Sequence, residues 1–245
     1  MQLAPAVWVD ETPPGSQPLP GRDLLVLVGL TGVGKSTTLA HLRPQFAVLP
    51  DRREVTDAVI FAGQTVSDRA ERFRRTAAYR EAHPGGMASA LGRVSVGLEG
   101  DLLFDGLRGL EEVTHAVQHL PRARFVALEA PDEVRVTRLL GRADAFDRVQ
   151  VGAANASALE MLAGIAGIEA VFDRASLGRL AALPHPPEDI AAKASIVVNE
   201  RHHYDPAPAH ALLRTLPAPR ALVLDTVALD SPACAARILH WWRAP

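Results

Sequence analysis

The chain has one cysteine, Cys234, and only two lysines, Lys35 and Lys193, among 26 Lys and Arg residues. A single cysteine cannot close an internal disulfide or build a cysteine zinc cage, so nothing in it requires an oxidising compartment. Long apolar runs are absent as well: no stretch approaches the ~18 consecutive apolar residues of a membrane span. The start lacks the basic residues and apolar run of a secretory signal, because Asp10 and Glu11 interrupt it early. The expectation is a cytoplasmic protein without a membrane partner. Charge of one sign is also lacking, since 26 basic residues face 28 acidic ones for a net charge of −2. That disfavours the strong basic field of a general nucleic-acid binder, while leaving room for a local basic groove.

The chain does have a core to bury. Its 245 residues are 48% hydrophobic and 22% charged, which suits one α/β domain with an insertion, or two small ones. Residues 1–21 carry Pro5, Pro13, Pro14, Pro18 and Pro20 and predict an extended leader. Short apolar runs bounded by turn residues predict strands at 23–28, 46–49, 102–104, 124–128, 195–198 and 221–224. Between them, helical patterns cover 36–42, an arginine-rich 67–82, 87–96, 111–120 and 132–142. His83-Pro84-Gly85-Gly86 separates two of these helices. Residues 143–192 are Ala-rich and helical, closed by Pro184, Pro186 and Pro187. Strands alternating with helices predict a three-layer α/β/α domain over 22–245 with a mostly parallel central sheet. Residues 143–192 would be a helical, lid-like insertion.

Gly29-Leu30-Thr31-Gly32-Val33-Gly34-Lys35-Ser36 satisfies G-x-x-x-x-G-K-[ST], with an apolar run before it and a helical stretch after it. Glycines let the backbone curl so that its N–H groups converge on phosphate oxygens, and the helix start adds positive charge. The expected nucleotide contacts are Gly29, Thr31, Gly32, Val33, Gly34, Lys35, Ser36 and Thr37. Lys35 would reach the β- and γ-phosphates, and the Ser36 hydroxyl would take Mg²⁺. The segment resembles the phosphate loop of P-loop NTPases. Asp105, at the end of Leu102-Leu103-Phe104, is the expected second Mg²⁺ group. Gly106 follows it where a motor-type ATPase would want a carboxylate, and the guanine-reading N-K-x-D is absent, since the late run ends Val198-Asn199-Glu200.

Asp105-Gly106-Leu107-Arg108-Gly109 resembles the D-G-F-P-R segment of adenylate kinases and the D-G-x-R of their relatives, without the proline. Glu129-Ala130-Pro131-Asp132-Glu133-Val134-Arg135 and Arg138-Leu139-Leu140-Gly141-Arg142 are similar to the strand and helix entering the lid of the nucleoside monophosphate kinase-like enzymes. Ile196-Val197-Val198-Asn199 looks like the strand after that lid, and Leu224-Asp225-Thr226 like the last strand. The resemblance covers about residues 22–242 and departs at 143–192, longer than a minimal lid. It implies ATP and Mg²⁺ as cofactors, Asp105 near the metal, Arg108 on the transferring phosphates, and Arg138 with Arg142 clamping the phosphoryl group. Spacing of four puts those last two on one helical face.

Lesser candidates follow. Asp51, after the second strand, is placed to accept a hydroxyl proton from an acceptor, with Arg53 to grip an acceptor phosphate. An ordinary charged loop is the competing reading. Arg69, Arg72, Arg74, Arg75 and Arg80 read more readily as a solvated helix face than as a pocket wall, because Asp68, Glu71 and Glu81 interleave. His202-His203 makes a poor metal pair without further ligands, and Trp241-Trp242 reads as core packing. The expected activity is transfer of the γ-phosphoryl group of ATP to a small phosphorylated or hydroxyl acceptor. The alternatives are an ATP-dependent switch that engages a protein or nucleic acid, and a polynucleotide 5′-hydroxyl kinase. Acceptor identity, base preference and oligomeric state stay open.

Overall fold

The computed structural model describes residues 1–64, 66, 68–141 and 157–244. The strands among them are β1 (Gln2–Ala4), β2 (Val7–Val9), β3 (Gln17–Pro18), β4 (Leu24–Val28), β5 (Ala47–Val48), β6 (Val94–Val96), β7 (Leu102–Leu107), β8 (Ala123–Glu129) and β9 (Ala221–Asp225). Two compact units form: residues 1–29, 35–128 and 206–245 make the first, and 30–34 with 129–205 make the second. No helix among the described residues is long and apolar enough to cross a membrane.

In the first unit the main sheet has the order β5-β7-β4-β8-β9. β4 runs parallel to both β7 and β8, and β5 runs parallel to β7. Every residue of β4 is at most 1% exposed, as expected for a parallel strand covered on both faces. Leu24, Val26 and Val28 join Phe104, Phe125 and Val113 in one core, while Leu25 and Leu27 point to the opposite face. Helices α4 (Gly86–Leu91), α5 (Leu110–His119) and α10 (Pro206–Thr215) cover the first face; α1 (Lys35–Leu42) pairs with α11 (Ser231–Arg243) on the second. The result is the three-layer α/β/α arrangement expected from the alternation. Chain order leaves β4 for one edge and later crosses to the other, so the switch point falls at β4. Ligands of such sheets bind beside the carboxyl ends of the strands at that point.

The leader expectation for residues 1–21 needs correcting. They are extended, but β1, β2 and β3 join β6 in a four-stranded antiparallel sheet. Val7, Val9 and Leu19 are at most 2% exposed, and burying them outweighs the loop-forming tendency of the prolines. The 87–96 helix is also shorter than expected: α4 stops at Leu91, and β6 supplies partners for β2 and β3. Gly85 does more than separate helices. Its φ is +91°, and a Cβ there would lie 2.2 Å from the His115 ring, so it lets the chain approach α5. At the C-terminus, Trp242 donates from Nε1 to Asp101 (2.7 Å), and the Arg124 guanidinium lies over the Trp241 ring at 4.2 Å.

The second unit is helical where described: α6 (Asp132–Leu140), α7 (Ala158–Ala163), α8 (Arg174–Ala181) and α9 (Pro187–His203). The strand expected at 195–198 is instead part of α9. Its β-branched run Ile196-Val197-Val198 looks like a strand in isolation. Yet Ile190, Ala194, Val197 and Val198 repeat at helical spacing and pack on Val136 and Leu139 of α6. Pro187 at the first turn fixes the helix start. Part of the expected 143–192 insertion, residues 143–156, lies outside the described residues.

Candidate active site

Within the first unit, Lys35 and Asp105 come together near the carboxyl ends of β4 and β7. Lys35 and Ser36 open α1. Lys35 Nζ stands 4.0 Å from Asp105 Oδ1, with the two side chains 13% and 17% exposed. Asp105 owes its place to an irregularity in β7. Leu27 is opposite Asp105 but Val28 is opposite Leu107, so Gly106 is the extra residue of a bulge, a device that re-aims the adjoining side chain. A Cβ at Gly106 would lie 3.0 Å from both Arg52 Cβ and the Phe104 ring, which explains the glycine. The Gly29 N–H donates to Leu107 C=O at 3.1 Å, tying the loop's first residue to the same bulge.

Arg52 and Glu112 brace that bulge. Glu112, 3% exposed, accepts from both terminal nitrogens of Arg52 at 2.7 and 2.6 Å and from the Arg108 N–H at 3.0 Å. Arg52 also donates to Gly106 C=O at 2.7 Å. Arg108 therefore enters the arrangement through its backbone, directly after the bulge.

Asp51 is not in an ordinary loop. It caps α2 (Arg52–Val59), its side chain accepting from the N–H groups of Arg53 and Glu54, while Glu54 accepts from the N–H of Asp51. The D-x-x-E spacing is a capping-box signal that the sequence carried. Asp51, Glu54 and Asp105 line a groove of about 410 Å³ together with Leu39, Leu49 and Arg43. Thr37, one turn into the expected phosphate contacts, is exposed on α1.

The loop residues 30–34 belong to the second unit. Gly29, Gly32 and Gly34 have φ of +152°, +85° and +100°. A Cβ at Gly32 would also lie 2.9 Å from the Arg135 carbonyl oxygen. Gly32→Ala should therefore lower the midpoint of urea unfolding, by roughly 1–3 kcal/mol in stability for the left-handed backbone alone. An unchanged midpoint would show that the loop can relax there.

Thr31 has partners within the second unit. Its N–H donates to Glu200 Oε2 at 2.8 Å and its hydroxyl to Glu200 Oε1 at 2.9 Å. Both donors are therefore engaged by a protein carboxylate. Arg138 donates to Gly32 C=O at 3.4 Å, so one expected phosphate clamp does lie beside the loop. Arg142 lies outside the described residues.

Three arginines of the arginine-rich α3 (Arg69–Ala82) are paired with carboxylates. Arg72 pairs with Asp57 at 2.5 Å, and Arg74 and Arg75 both pair with Glu71. Among the described residues, no group of three or more His, Cys, Asp or Glu is placed to hold a metal. Mg²⁺ beside a nucleotide does not require one, because phosphates and waters complete its octahedron around one or two protein oxygens. A hydroxyl at Ser36 and a carboxylate at Asp105 are the hard oxygen donors it prefers.

Arg52, Glu112, Arg135 and Glu200 were not singled out as site residues from the sequence. Charged residues spaced 60 positions apart give no periodic signal before the fold brings them together.

The chain matches no protein-family model and no curated protein sequence. Among solved structures, it is similar to the protein TT1252 of Thermus thermophilus, at 16% identity and a TM-score of 0.48, over 91% of this chain and 99% of that one. It is also similar to a gluconokinase from Sinorhizobium meliloti 1021, at 13% identity and a TM-score of 0.35, over 93% of this chain and all of that one.

Proposed function

We propose that the protein is an ATP- and Mg²⁺-dependent phosphotransferase acting on a small molecule. The supporting observation is the Lys35–Asp105 pair, 4.0 Å apart at the end of the loop-bearing strand and its neighbour. A cation for phosphate and a carboxylate for a metal meet there behind a G-x-x-x-x-G-K-S loop. Phosphoryl transfer needs little covalent work from a protein; alignment and charge placed against the developing negative oxygens supply the rate. Gly32, Val33 and Gly34 would present backbone to the phosphates, and Lys35 would neutralise the β- and γ-oxygens. Arg138, with Arg142 and Arg108, would meet the transferring group.

Ser36 and Asp105 would hold Mg²⁺, which when bound would withdraw charge from the phosphate oxygens. Asp51, on the groove it shares with Asp105, would accept the acceptor's hydroxyl proton. ATP as the donor follows from the resemblance to nucleoside monophosphate kinase-like enzymes. The acceptor would be a nucleotide or another small metabolite.

The test is ADP formation from ATP and Mg²⁺ with a panel of nucleoside monophosphates, nucleosides, phosphorylated metabolites and 5′-hydroxyl oligonucleotides. One acceptor should raise ADP release by orders of magnitude. Slow release throughout, with ATP still bound, would favour a nucleotide-dependent switch. Asp105→Asn should raise the Mg²⁺ concentration for half-maximal rate about tenfold or more, since an amide is a poorer ligand for a hard cation. An unchanged Mg²⁺ dependence would remove Asp105 from the metal's shell.

A further inference from the structure

Thr31 is held on three sides by two residues that lie more than 100 positions away. Its N–H and hydroxyl go to the two oxygens of Glu200 at 2.8 and 2.9 Å, and its C=O accepts from Arg135 Nε at 2.7 Å. Arg135 closes the set by bonding Glu200 directly through Nη2 and Asp132 through Nη1. Arg135 is 1% exposed and Glu200 7%. A buried carboxylate beside an anion-binding loop would repel phosphate, so its pairing with a guanidinium matters: Arg135 offsets the charge of Glu200, and Asp132, which shares Arg135, is also paired with Arg201 at 3.3 Å. The same Arg135 backbone closes on Gly32, whose missing side chain makes the approach possible.

We infer that Glu200, locked by Arg135, is a positioning residue that sets the phosphate loop in its nucleotide-binding shape before the nucleotide arrives. This rests on the phosphotransferase reading. Fixing both backbone groups of Thr31 takes away the rotations by which the next peptides could turn from the cradle. The ordering cost is then met during folding and not at binding. Glu200 touches neither phosphate nor acceptor; it acts through Thr31. Its loss should accordingly appear in nucleotide affinity.

The experiment compares wild type, Glu200→Gln, Thr31→Val and Thr31→Ser in the full-length protein. Two readouts are used: hydrogen exchange of the Thr31 and Gly32 amides without nucleotide, and the KM for Mg·ATP set against kcat. Thr31→Val keeps the backbone bond and the side-chain shape, so it covers the case where Glu200→Gln does not fold.

Glu200→Gln should speed amide exchange and raise the KM for Mg·ATP about tenfold or more, the scale of a lost hydrogen bond to a charged group. Its kcat should change far less. Thr31→Val should show a smaller rise in KM, and Thr31→Ser should restore wild-type values. A structural defect alone lowers the active fraction, and hence kcat, with KM unmoved; that pattern overturns the inference while leaving the phosphotransferase reading intact. A wild-type protein that shows protected Thr31 amides but binds no Mg·ATP removes the phosphotransferase reading and this inference with it.

Discussion

Lys35→Ala should fold as the wild type does and lose phosphoryl transfer, with kcat falling by about 10²–10³-fold or more. Folding is spared because Lys35 begins α1, where alanine is at least as good a helix former, and because its pair with Asp105 is long, at 4.0 Å, and partly exposed. Activity is lost because the ammonium sits at the end of β4, 4.0 Å from Asp105. The only other lysine of the chain is Lys193, in α9 of the second unit. An arginine substituted at position 35 would keep charge but carry it on a planar, bulkier head, so Lys35→Arg should recover only part of the rate. Steady-state kinetics with circular dichroism as the folding control checks both variants. Turnover retained in Lys35→Ala would place the chemistry elsewhere.

The largest stability effect is expected at a residue outside every motif. Glu112→Ala removes a buried carboxylate that accepts from both terminal nitrogens of Arg52 and from the Arg108 N–H. Arg52, whose side chain is 19% exposed, then keeps its charge with its carboxylate gone. Breaking a buried pair from one side costs roughly 3–5 kcal/mol, and partial exposure of Arg52 places this pair at the lower end. The effect reaches function as well, because Arg52 also holds Gly106 C=O, the residue that turns Asp105 toward Lys35. Urea unfolding should show the destabilisation, and the Mg²⁺ concentration for half-maximal rate should rise even in the folded fraction. Stability within ~0.5 kcal/mol of wild type would show that Arg52 finds another partner at no cost.

The parts legible in the sequence were those whose cause is local. The 23–28 run, the phosphate-loop glycines and the helix at Lys35 each follow from neighbours a few residues away. The sheet-forming alternation gave the α/β class for the same reason. Where a distant partner decides the outcome, the local pattern misled. Residues 1–21 read as a leader because their prolines speak for themselves, while β6, which pairs with β2 and β3, lies more than 70 positions on. Ile196-Val197-Val198 read as a strand because β-branching is a local preference, overridden by packing on α6. The partner of Thr31 is equally invisible in the motif, because Glu200 comes from α9 to accept from its N–H and hydroxyl. The Asp51 cap, by contrast, is written locally as D-x-x-E, and the fold adds the groove that Asp51 shares with Asp105.

The fate of the γ-phosphate of ATP separates a phosphotransferase from a hydrolysing switch. γ-Labelled ATP, Mg²⁺ and the best acceptor from the panel should give label in a phosphorylated acceptor, stoichiometric with ADP, and no transfer with Lys35→Ala. Label recovered only as inorganic phosphate, at a rate no acceptor changes, would contradict the phosphotransferase reading.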